Sequence, residues 1–150
     1  MSEARFVSAG RRTLALLPFD LDAVLADWAS LRPRMVREEP APFTRDEWAY
    51  LISFLDRGNL TSAFTGAFGE PEAAQRTGPV HVVARPGGPV ALWLPNNVSL
   101  LGALTLVLLS LTGNPLWIKA GSRGDDLTRD FLRYALEKLP AGALRDHLAS

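Results

Sequence analysis

Apolar positions in the first half of the chain recur at helical spacing. Leu21, Val24, Leu25 and Trp28 fall on one face of a helix. Asp20 stands where a side-chain oxygen can accept from the free amides of the first turn. The stretch from Arg32 to Pro42 is charged and proline-rich, which predicts a loop. Thr44-Arg45-Asp46-Glu47 is a capping box, with threonine at the cap and glutamate three residues later. It predicts a helix that carries Trp48, Leu51, Ile52 and Leu55 inward and stops near Gly58. A shorter helix through Ala63 and Phe64, and a further turn over Glu72 to Gln75, complete a helical first half.

The period then changes. Val80 to Val83 predicts a strand. From Pro86 to Ile118 there is no charged residue, and Arg85 and Lys119 bound the gap. Burying charge is costly, so a gap of this length marks backbone enclosed on all sides. Val90, Ala91, Leu92, Trp93 and Leu94 form a continuous apolar run, the pattern of a strand covered on both faces. Asn97 is positioned to cap a helix over residues 98–112, Gly113 to end it in a left-handed conformation, and Pro115 to prevent its continuation. Leu116 to Lys119 predicts a second short strand. Asp125 or Asp126 caps a last helix with Leu127, Phe131, Tyr134, Ala135 and Leu139 on one face, and Pro140 follows its end. Phe64, Phe68, Trp48 and Trp93 are expected in the core rather than in a stacking platform.

The same gap could suggest a membrane span, but its length argues otherwise. Fifteen residues rise about 22 Å, short of the ~30 Å hydrocarbon core. Ser99, Thr105 and Ser110 dilute the run, and Met1 to Arg12 is too polar for a signal peptide. A cytoplasmic location without a membrane span is therefore expected. Sixteen basic and sixteen acidic residues cancel, so no overall field draws nucleic acid. There is no cysteine, hence no disulfide, no thiolate metal site and no cysteine nucleophile. His81 and His147 lie 66 positions apart and lack metal-ligand spacing. The phosphate-loop patterns G-x-G-x-x-G and G-x-x-x-x-G-K-[ST] are both missing.

The predicted class is α/β. A mainly helical region, residues 1–78, precedes the incomplete first part of a Rossmann-like domain, residues 79–150. Two parallel strands leave both sheet edges uncovered, so further strands are expected after Ser150 or from a partner. In open α/β sheets ligands bind beyond the carboxyl ends of the strands. Leu94-Pro95-Asn96-Asn97 and Lys119-Ala120-Gly121-Ser122-Arg123 reach that edge. Lys119 puts a cation at the rim of an apolar crevice, suited to a ribose hydroxyl or a phosphate. Ser122 offers a second polar contact and Gly121 a close approach.

Pro89 to Lys119 resembles the first βαβ unit of the aldehyde dehydrogenase superfamily. There a strand ends in P-W-N-F-P, a hydrophobic helix and a glycine-asparagine turn follow, and the next strand ends in K-P-S-E. The corresponding residues are Leu94 to Ser99, then Thr112-Gly113-Asn114, then Ile118 to Ser122. Asn97-Val98, Leu100-Leu101-Gly102, and Lys119 with Ser122 and Arg123 are similar to the acyl-CoA reductase branch, which includes the fatty-acid reductase component of bacterial bioluminescence. The resemblance covers about 50 residues, from Pro89 to Leu139. It implies the N-terminal part of an NADP(H)-dependent reductase that converts an acyl thioester to a fatty aldehyde. Asn97 would donate to the thioester oxygen as charge develops there. Lys119 would bind the adenine ribose, Pro95 and Asn96 would pass along the nicotinamide side, and Leu94 and Gly121 are further cofactor-binding candidates. Ser122 replaces the glutamate of K-P-S-E, with Arg123 beside it, which favours a 2′-phosphate. Ser99 stands where most relatives carry proline. The family's cysteine nucleophile is absent from these residues, so covalent chemistry needs a C-terminal remainder or a partner chain. The alternative expectation is a non-enzymatic α/β interaction module that completes its sheet with another chain. A homo-oligomer is a separate expectation.

Overall fold

A computed structural model describes residues 6–9, 12–15, 20–38, 41–68, 75–77, 80–82, 87–94, 98–119 and 126–149. Within these, strands β1 (Phe6–Ala9) and β2 (Arg12–Ala15) form an antiparallel hairpin. Three helices follow: α1 (Leu21–Met35), α2 (Arg45–Phe54) and α3 (Arg57–Phe68). A second antiparallel pair joins β3 (Gln75–Thr77) to β4 (Val80–Val82). Then come β5 (Val90–Trp93), α4 (Leu101–Ser110), β6 (Leu116–Lys119), α5 (Leu127–Lys138) and α6 (Ala143–Ala149). Strands β5 and β6 are parallel, with Val90 opposite Leu116 and Trp93 opposite Lys119. The protein is thus a mixed helical fold around a two-stranded parallel sheet. Among the described residues no helix is long and apolar enough to cross a membrane.

The core joins helices from both halves of the chain. Trp28 of α1 is fully buried and stacks on Phe131 of α5, with ring centroids 5.9 Å apart. Its Nε1 donates to the buried Ser110 Oγ of α4 at 2.8 Å, and that hydroxyl donates in turn to the Val107 carbonyl. Trp48 of α2 meets Tyr134 of α5 edge-on and donates from Nε1 to the Met35 carbonyl at 2.8 Å. Both indole N–H groups are thereby satisfied inside the core, as buried polar groups must be.

The predicted capping box is present. The Glu47 amide donates to Thr44 Oγ1, and the Thr44 amide donates to the Glu47 carboxylate. Asp20 and Asp126 cap α1 and α5 as expected, and Gly113 adopts φ 69° after α4.

Several elements differ from the expectation, each for a local reason. Arg32 to Met35 is helix, not loop, despite Pro33. Proline inside a helix costs about 3 kcal/mol, but fully burying Leu31 and Met35 returns about 1.5–3 kcal/mol each. Helix α2 ends at Phe54, and Gly58 lies inside α3. Asp56 starts that second helix by accepting from the Gly58 amide at 2.9 Å. Gln75 belongs to a strand rather than a helical turn, and the β1–β2 hairpin and α6 were not foreseen. Helix α4 begins at Leu101 with Leu100 as its cap residue and no side-chain cap bond, so the cap position falls three residues beyond Asn97, which lies outside the described residues. The Leu101 amide instead donates to the Val98 carbonyl in a preceding turn.

The largest correction concerns the sheet. Burial alternates along β5 and β6 instead of covering both faces. Leu92 and Ile118 turn toward the helices, whereas Trp93 is 73% and Trp117 68% exposed. Helices α4 and α5 pack against each other, and among the described residues nothing covers the other face of the sheet.

Gly102 lets α4 approach β5 and α5 closely. A Cβ at this position would lie 2.7 Å from Leu94 Cδ1 and overlap the Thr128 hydroxyl of α5. Gly102→Ala is expected to destabilise the protein by about 1–3 kcal/mol, the usual cost of overpacking. Thr128→Ala in the same chain should recover part of that loss. Urea denaturation of the two single variants and the double variant measures the coupling. Ser110→Ala should cost about 1–3 kcal/mol, because it strands the buried Trp28 N–H. The midpoint of chemical denaturation reads it.

Candidate functional site

The carboxyl edge of the β5–β6 pair brings two predicted site residues together. The Leu94 amide donates to the Lys119 carbonyl at 3.0 Å, one rung beyond the last residue of β5. Leu94 is half-buried with its side chain against Gly102, so the helix that follows fixes its position. Lys119 is exposed, and none of the ion pairs among the described residues involves it. Trp93 is its direct cross-strand partner, so an exposed indole and an exposed ammonium share one face at this edge. Pro95, Asn96, Asn97, Gly121, Ser122 and Arg123 lie outside the described residues.

The amino end of the same pair is held by a side chain. Asn114 Oδ1 accepts from the Gly87 and Gly88 amides at 2.8 and 3.1 Å. Gly88 has φ 124°, a conformation glycine reaches without the steric cost of a side chain. The Asn114 side-chain nitrogen donates to Thr112 Oγ1, which orients the carboxamide. The Gly113-Asn114 turn thus helps to fix the register that sets Leu94 beside Lys119.

Glu47 approaches the turn before α4. The Ser99 hydroxyl and the Thr44 amide both hydrogen-bond its carboxylate and hold its pKa below the usual carboxylate value. The capping box of α2 is thereby tied to the segment that follows Leu94. The sequence signalled Glu47 only as a local cap, because a contact 52 positions away leaves no periodic trace.

His147 is the second group that the sequence did not single out. It lies beside a cavity of about 330 Å³ floored by Leu106, Leu116, Ile118, Leu132 and Leu148, with Asp126, Thr128 and Arg129 at its rim. Burial pushes the imidazole pKa down. The only hint in the sequence was one histidine between Leu144 and Leu148. Tyr134 is also buried. Burial first, then the neighbouring Glu38, raises its pKa well above the ordinary phenol value. Lys138 reaches Glu38 at 3.4 Å, and this group joins the end of α1 to α5. Among the described residues no cluster of three or more His, Asp or Glu could hold a metal ion.

The His147 shift has a definite sign. The unfolded chain takes up a proton near pH 6.5, whereas the folded chain resists it. The full stability is therefore present above about pH 6.5 and declines as pH falls toward the lower native value. His147→Leu should flatten that decline relative to the parent chain, with Asp126, Arg129, Arg145 and Asp146 unchanged as neighbours. Urea midpoints from pH 7.5 to pH 5 test this.

No protein-family model, no curated protein and no solved structure matches this chain.

Proposed function

We propose that the chain is the N-terminal part of an NADP(H)-dependent acyl-thioester reductase that forms a fatty aldehyde. The observation that carries this reading is the pairing of Leu94 and Lys119 at the carboxyl edge of a parallel β-α-β unit. That edge is where dinucleotides bind in open α/β sheets. An exposed, unpaired cation at a strand end fits a ribose hydroxyl or a phosphate. The dinucleotide, when bound, supplies the hydride. Lys119 holds its adenosine half, and Ser122 with Arg123 accommodates a 2′-phosphate. Pro95 and Asn96 pass along the nicotinamide side. Asn97 donates its side-chain amide to the thioester oxygen as negative charge builds there. This chain has no cysteine, so in this reading the nucleophile comes from a C-terminal remainder.

A second reading has its own observation. The β5–β6 pair exposes Trp93 and Trp117 on one face and, among the described residues, has no strand at either edge. Parallel sheets are normally covered on both faces. A non-enzymatic module that completes its sheet with another chain accounts for that surface.

The two readings separate on one residue. In the reading frame extended beyond Ser150, the reductase reading requires further strand–helix repeats and a cysteine. In that longer protein Lys119→Ala should weaken NADPH binding by about 1–3 kcal/mol, the scale of a lost charge-assisted hydrogen bond. Fluorescence titration with NADPH measures it. Unchanged affinity removes Lys119 from the cofactor site, and a frame without a cysteine leaves the interaction module.

A further inference from the structure

We propose that two copies of this chain associate by pairing β6 with itself across a two-fold axis, giving a continuous sheet in the order β5–β6–β6–β5. The inference rests on the sheet-completing reading above and names the partner as a second copy.

The hydrogen-bond pattern leaves the outer side of β6 open. The Pro115 and Lys119 carbonyls accept from the Val90 and Leu94 amides of β5. Backbone groups alternate along a strand, so residues 115, 117 and 119 address β5, and Leu116 and Ile118 turn their N–H and C=O groups outward. Among the described residues no strand pairs with that side. Antiparallel pairing centred on Trp117 sets Leu116 against Ile118 of the second copy, and Ile118 against its Leu116. Each such pair exchanges two hydrogen bonds, so all four outward donors in the two copies find acceptors. Trp117 then faces Trp117 of the second copy at the closely spaced, non-bonded position. Its indole, 68% exposed in one chain, loses water on the same face for both copies.

Two further features suit the same axis. The 330 Å³ cavity lies along β6, and no β5 residue lines it. Leu116 and Ile118 form part of its floor, so the same residues of the added strand arrive beside it on the inner face. Asp126, Arg129, Asp130 and Arg133 form one stripe along α5, with Asp126 and Arg129 at the cavity rim. The order acid, base, acid, base is complementary to its own reverse. A two-fold axis therefore sets each arginine near an aspartate of the other copy. The Arg129 and Arg133 side chains are 67% and 69% exposed and retain donors for this. A four-residue edge, one indole and one helical stripe bury less than the ~800 Å² per partner of a stable dimer. The association is therefore reversible and concentration-dependent.

Sedimentation equilibrium of the 150-residue chain across the micromolar range should show monomer and dimer. Trp117→Glu sets two like charges opposite each other and should shift the chain to monomer. Trp93→Glu, equally exposed but on β5, should leave the dimer in place. The protein has no cysteine, so Trp117→Cys adds a single thiol. That thiol should cross-link rapidly under mild oxidation, whereas Trp93→Cys should not. A dimer in which Trp117→Cys fails to cross-link overturns the β6 seam while sheet completion through another surface survives. A wild-type chain that stays monomeric overturns the dimer altogether. Neither result bears on NADPH affinity at Lys119.

Discussion

The fold depends on one buried side chain, Trp28. Its ring fills the space between α1 and α5 against Phe131, and its single polar atom finds Ser110 on α4. Three helices from distant parts of the chain meet at that indole. Large aromatic burial is worth several kcal/mol only if the N–H is paired, because an orphaned donor forfeits about 1–3 kcal/mol. Ser110 provides the pairing at a position on α4 that would otherwise favour alanine or leucine. The helical first half is thereby fastened to the β-α-β unit, and α4 is held at a fixed rotation over β5 and β6. That rotation aims Gly102 at Leu94 and Thr128.

From this junction the geometry of the sheet edge follows. With α4 pressed close through Gly102, Leu94 is held at the carboxyl end of β5, and its amide closes the ladder on Lys119. Glu47 adds a tie from α2 to the turn that begins α4. The helical region therefore acts on the sheet edge from two directions, through the core at Trp28 and through the surface at Ser99. The proposed cofactor role of Lys119 and the proposed pairing role of β6 would draw on the same short sheet but on different groups of it. The first uses a side chain at the strand end, and the second uses outward backbone groups and Trp117.

What was legible in the sequence was mostly what local chemistry determines. Asp20, Thr44 with Glu47, and Gly113 mark ends that depend on neighbours within four residues, and each stands where it was read; of the two candidates Asp125 and Asp126, Asp126 is the cap. The β5–α4–β6 order followed from punctuation around an uncharged run. Errors arose where a distant contact overrode a local preference. Pro33 and its charged neighbours read as loop, but Leu31 and Met35 gain enough by burial to keep the helix. The apolar run Val90 to Leu94 read as doubly covered, yet nothing in the described residues covers Trp93. Periodicity reports that a face is apolar, not that something lies against it. Of the site, the sequence located Leu94 and Lys119 at one edge. It could not locate Glu47 beside Ser99, or His147 at the cavity along β6, because those placements arise only from helix packing.

Asn114 gives the sheet a different kind of resilience from that of the surrounding helices. Surface contacts between helices include ion pairs such as Arg32 with Asp56 and Arg57 with Asp22, each partly or largely exposed. Salt screens such pairs. The clamp on Gly87 and Gly88 is a neutral carboxamide that substitutes for a missing backbone rung. It carries no charge to screen and no proton to gain in the ordinary range. A brine would therefore loosen the helical periphery before it disturbed the alignment of β5 with β6.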